Sequence, residues 1–80
     1  MPLYFMHLRD GTDEVLDPDG TTLPPEAVPG AALYMARDCM SHDLRNGRIE
    51  LKYRIDVHDE AGEIVHSQSF ADAVEIVPAG

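Results

Sequence analysis

The chain is short of cations, of sulfur and of long apolar runs. Six lysines and arginines stand against fifteen acidic residues, a formal net charge of −9 over 80 residues. That deficit argues against nucleic acid as a partner, because its phosphate backbone calls for a basic footprint. It argues equally against binding an anionic membrane surface. It favours solubility, a basic partner or cations. The one cysteine, Cys39, excludes a disulfide within the chain. It falls on an apolar helical face near Asp38 and Asp43, the wrong sign for an activated thiol, and reads as a small buried hydrophobe. No stretch is long enough to span a membrane. Met1 to Leu8 carries no basic leader and runs into Arg9-Asp10 at once, so no secretory signal is read and the expected compartment is the cytoplasm. Repeats, linkers and low-complexity runs are missing too, and the length fits one domain, 1–80, with 78–80 as a tail.

What is present suffices for a core. Hydrophobic residues make up 44% of the chain, which separates it from disordered sequences. A chain of this size buries only about two-thirds of its unfolded surface, so its stability margin is small. Pro29 to Leu44 is the one stretch with helical periodicity. At about 100° per residue, Val28, Ala32, Met35, Ala36, Cys39 and Met40 share a face, and Arg37, Asp38 and Ser41 fall opposite. Pro29 suits the first turn, and Asn46-Gly47 suits the stop.

Strands are expected on both sides of this helix. Leu3 to Leu8 is apolar on both faces, with Tyr4, Met6 and Leu8 on one and Leu3, Phe5 and His7 on the other. Glu14 to Leu16 is a short second strand, followed by the turn Asp17-Pro18-Asp19-Gly20 and a possible extension over Thr21 to Leu23. Ile49 to Val57 alternates throughout. Ile49, Leu51, Tyr53, Ile55 and Val57 are expected inside, and Glu50, Lys52, Arg54, Asp56 and His58 in water. The turn Asp59 to Gly62 leads to a return strand, Glu63 to Ser69, and Ala71 to Val77 is either more strand or a short turn at the sheet end. The sum is an α+β fold in the order β-β-α-β-β: a four-stranded, mainly antiparallel sheet with one helix packed on one face.

Pro2-Leu3-Tyr4-Phe5-Met6-His7-Leu8-Arg9-Asp10-Gly11 at one end and Phe70-Ala71-Asp72-Ala73-Val74-Glu75 at the other give the chain the look of a family. Asp19-Gly20, Leu23-Pro24 and Asp59-Glu60-Ala61-Gly62 add to the pattern. It resembles a family of small bacterial domains of unknown function. That resemblance implies the fold and no activity. A weaker likeness, to the antitoxin subunits of small toxin–antitoxin pairs, rests on generic features.

Asp17, Asp19, Gly20 and Glu26 match four positions of a calcium-binding loop, but Val15 stands where the first ligand belongs, and an ordinary acidic turn is the better reading. His7, His42, His58 and His66 lack zinc-finger spacing; the three on strands could converge if those strands are neighbours. Ser67 and Ser69 alternate with His66 and so point away from it, and no nucleophile, phosphate-loop or dinucleotide motif occurs. No cofactor, metal or catalytic set is therefore expected, and an enzyme is the less favoured class. The surface singled out is the sheet face away from the helix, carrying Phe5, His7, Arg9, Arg54, Asp56 and His58. The expected role is a small binding or interaction module with a homo-oligomer or protein partner. An antitoxin-like regulator of a basic protein is the alternative, and a metal or catalytic role for the strand histidines comes third.

Overall fold

The computed structural model describes residues 1–80. Its elements run β1 Leu3–Arg9, β2 Glu14–Val15, β3 Thr21–Thr22, a 3-10 turn Pro25–Ala27, α1 Val28–Arg45, β4 Arg54–His58, β5 Ile64–Ser69 and α2 Phe70–Ala73. The fold is α+β, with an antiparallel sheet ordered β2-β1-β4-β5 and β3 also paired to β1. There are five strands rather than four, because the segment after Arg9 pairs with β1 twice. β2 lies against Leu8 and Arg9, and β3 lies against Leu3 and Tyr4.

Asp17 closes the gap between those two pairings. One carboxylate oxygen accepts the N–H groups of Asp19 and Gly20 and so holds the turn, while the other accepts the Met6 N–H in the middle of β1. The Asp17 N–H in turn donates to His7 Nδ1. Gly20 is required here. Its φ is +72°, and a Cβ would stand 2.8 Å from the Tyr4 carbonyl oxygen.

The core lies between the sheet and α1. Tyr4, Met6, Ile55, Val57, Phe70 and Ala73 meet Val28, Ala32, Ala36 and Met40. The four buried helix positions fall on the face that the periodicity marks, with Met35 and Cys39 partly buried beside them. Ala32 and Ala36 are fully buried, so the backbones of helix and sheet approach closely. Burial, followed by Asp38 and Asp43, pushes the Cys39 thiol above its ordinary value. Pro29 sits in the first turn of α1, and Asn46 ends the helix ahead of Gly47, whose φ is +81°.

Two expectations fail in the second half. Residues 49–53 are not strand, and Ile49 and Leu51 are 37% and 39% exposed rather than core. A strand exists only where a neighbour offers a ladder. β1 ends at Arg9 opposite Arg54, and past Ser69 only the Phe70 N–H still reaches the Tyr53 carbonyl before α2 begins, so no ladder continues along 49–53. The second failure is Asp56, which is 1% exposed instead of solvated. Beyond β5 the chain forms α2, capped by the Ser69 hydroxyl, and Val74 onward has no regular structure. Arg37 Nε donates to the Ala73 carbonyl and fastens α2 to α1. No helix is long and apolar enough to cross a membrane.

Candidate functional site

The side of the sheet away from α1 is built as cross-strand rungs. Phe5 stands opposite His58, His7 opposite Asp56, and Arg9 opposite Arg54. On the far side of β4, Asp56 faces Ser67 and Arg54 faces Ser69. The six residues singled out from alternation are therefore neighbours on one face. Their grouping follows from period-two geometry once β1 and β4 are adjacent.

Asp56 is the hub. Its carboxylate accepts from the Ser67 hydroxyl at 2.7 Å, from Arg54 Nε at 3.1 Å to both oxygens, and from Arg9 Nη1 at 3.2 Å. Burial alone would raise its pKa. The bonds from Ser67, Arg9 and Arg54 outweigh that and hold it below the ordinary carboxylate value. The carboxylate also separates two guanidinium groups that would otherwise repel across the rung. Arg9 is further fixed by Glu14, through Nε at 3.0 Å, and the bonds to Glu14 and Asp56 raise its pKa.

Two of the histidines are held by hydrogen bonds to the side chains and backbone around them. Arg9 Nη1 donates to His58 Nε2 at 2.9 Å, so the His58 proton resides on Nδ1 and is given to the Gly62 carbonyl. His7 Nδ1 accepts from Asp17, leaving its proton on Nε2. The two rings lie 4.8 Å apart, and Phe5 stacks on His7 at 6.4 Å. Burial first, then His58 and Arg9, hold the His7 pKa below its usual value. His66 does not join them. It lies on the helix side with its Nε2 buried and unpartnered. No group of three or more His, Cys, Asp or Glu side chains is placed to hold a metal ion.

Next to the hub a recess of about 250 Å³ is lined by Arg9, Gly11, Thr12, Asp13, Glu14 and Arg54, none of them a hydrophobic residue. Arg54 enters it with its Nε spent on Asp56 and its two outer nitrogens making no hydrogen bond. A family described as a domain of unknown function, DUF6894, matches residues 3–71. The chain belongs to the DUF6894 family. The DUF6894 match takes in β1 and every residue of the Asp56 cluster, and it stops at Ala71 within the final helical turn. No curated protein and no solved structure matches the chain at a significant level.

Reasoning from sequence missed Ser67, Glu14 and Asp17 as members of the site. From the sequence Ser67 stands out only as a candidate nucleophile, yet its hydroxyl donates to Asp56. The signal for it was the same alternation that placed Arg54 and Asp56, carried across to β5. Asp17 reads from the sequence as a turn former, or as one position of an incomplete calcium loop, and its second oxygen reaching β1 has no local sequence signature.

Proposed function

We propose that this protein is a non-enzymatic binding module whose open sheet face receives a carboxylate-bearing segment of a partner protein. The observation that carries this reading is Arg54. Its guanidinium is held at Nε by a buried carboxylate, while its outer edge faces the polar recess with Arg9 alongside. A pre-positioned planar fork of this kind suits bidentate carboxylate recognition and loses little entropy on binding. Phe5, half-buried on the same face, supplies an apolar neighbour for the same segment.

The test is a native mass spectrum of the untagged protein from its own cells, beside Arg54→Glu and Phe5→Ser. The wild type is expected to carry a second protein that both variants lose while keeping the far-ultraviolet spectrum of the fold. A wild type with nothing bound, or variants that retain the partner, would refute the reading. A basic partner, as an antitoxin-like role requires, would be held as well or better by Arg54→Glu, because that change removes a repelling charge.

A further inference from the structure

One backbone edge of the sheet has no partner at all. β5 is the last strand in the order β2-β1-β4-β5. The Phe70 N–H donates to the Tyr53 carbonyl. By antiparallel alternation Gln68 and His66 then turn their backbone groups toward β4, while Ser67 and Ser69 turn theirs outward. No neighbouring strand meets the outward groups of Ser67 or the outward Ser69 N–H, while the Ser69 carbonyl takes the Ala73 N–H as the first bond of α2. The strand reads Ile64-Val65-His66-Ser67-Gln68-Ser69 and holds no acid, lysine, arginine, proline or glycine, in a chain that is 26% charged. Exposed edges are ordinarily defended by charge or proline. Here the one defence is a bulge at Val65, which has no counterpart on β4.

We infer that a second copy of this chain pairs with β5, antiparallel, about a twofold axis at Ser67. Two features select a second copy over another strand. Two chains that each carry −9 repel over most of their surfaces and can meet only along an uncharged strip. A twofold also sets each residue against its own kind or against a member of the same strand, so self-pairing tolerates no charge there. A charged peptide, basic or acidic, would find no opposite charge along β5 itself.

The axis falls at Ser67 because that register pairs Ser67 with the partner's Ser67, and Val65 with the partner's Ser69. It uses the outward groups on both sides of the axis and ends at the bulge. It also sets the partner's Gln68 directly across from His66, whose buried Nε2 lacks a hydrogen-bond partner in the single chain. In that single chain the Gln68 amide donates to its own Ser69 carbonyl. In the pair the Gln68 amide turns from that carbonyl, which keeps the Ala73 N–H of α2, toward the histidine. The result is one continuous antiparallel sheet through two copies. It needs none of the open-face side chains of Arg54 or Phe5, so it stands apart from the carboxylate site.

Sedimentation equilibrium across a concentration series tests this on wild type, Ser69→Pro, Ser69→Ala and Arg54→Glu. Ser69 sits at φ −74°, which proline adopts, and both Ser69 variants lose the same capping hydroxyl, so their contrast isolates the outward N–H. Wild type, Ser69→Ala and Arg54→Glu are expected to dimerise, with Ser69→Pro weaker by about tenfold or more. Hydrogen exchange on the wild type needs no variant. Ser67 and Ser69 amides should gain protection with concentration, while those of His66 and Gln68 stay protected throughout. A wild type monomeric at millimolar concentration, Ser69→Pro dimerising as well as Ser69→Ala, or concentration-independent exchange at Ser67 would each overturn it.

Discussion

Replacing Asp56 by alanine should be among the most damaging single changes outside the apolar core. The carboxylate is 1% exposed and accepts from three side chains, two of them cationic. A hydrogen bond to a charged group contributes about 1.5–3 kcal/mol. Breaking a buried ion pair costs about 3–5 kcal/mol, most of it from the charge left behind. Here the stranded charges are not fully buried: the Arg9 and Arg54 side chains are 22% and 43% exposed, so water recovers part of the loss. Ser67 loses its acceptor, and two guanidiniums are left facing each other across one rung. The net expectation for Asp56→Ala is about 2–3 kcal/mol. For a domain of this size that lowers Tm by roughly 10–20 °C. Asp56→Asn keeps two polar atoms but not the charge and should lose about half as much. Urea unfolding at fixed m-value measures both, with exposed Asp13→Ala as the control, expected within ~0.5 kcal/mol of wild type. An Asp56→Ala midpoint as close to wild type as that of Asp13→Ala would show that the cluster is a solvated surface network and not an anchored one.

Gly20→Ala should cost about 2 kcal/mol or more, since it adds a clash with the Tyr4 backbone to the left-handed penalty, whereas Gly47→Ala should cost only about 1 kcal/mol because nothing lies near its Cβ; equal urea midpoints for the two would refute the close approach. Stability should also fall in two stages as pH drops. His7 is held below its reference value of 6.5, so between the two values the unfolded chain binds more protons, and this contribution is whole above 6.5 and lost as pH falls through the folded value. Asp10, Asp17 and Asp56 are held below 3.8, so their contribution is whole above that value and lost beneath it. A pH series of urea midpoints should show both stages, with the upper one absent from His7→Phe; a midpoint that rises as pH falls through 6.5 would contradict the sign.

Much of this structure is written in local pattern. The helical face from Val28 to Met40, the Gly47 stop and the Asp59–Gly62 turn follow from periodicity and turn chemistry alone. The six open-face residues were legible too, since alternation assigns Phe5, His7 and Arg9 to one side and Arg54, Asp56 and His58 to another. The failures are non-local. Ile49 to Tyr53 alternate as well as Ile55 to Val57 do, but β1 and β5 both end opposite Arg54 and leave them no ladder. Alternation places Asp56 on the side away from the core without revealing that two arginines and a serine close over it. The double pairing of β1 depends on one Asp17 oxygen reaching the Met6 N–H, a contact across eleven residues that no turn signature encodes.

The measurement that tests the site most directly is the arginine Nε–H nuclear magnetic resonance spectrum of the wild type beside Asp56→Asn. Arg9 Nε is bound to Glu14 and Arg54 Nε to Asp56. Both, like Arg37 Nε on the Ala73 carbonyl, should give sharp, slowly exchanging resonances set apart from those of Arg45 and Arg48, and in Asp56→Asn the Arg54 signal should return to that exchange-broadened pair while Arg9 keeps its Glu14 bond and Arg37 is unchanged. An Arg54 resonance already averaged with solvent in the wild type, or one unchanged in Asp56→Asn, would contradict a guanidinium held in place for a partner.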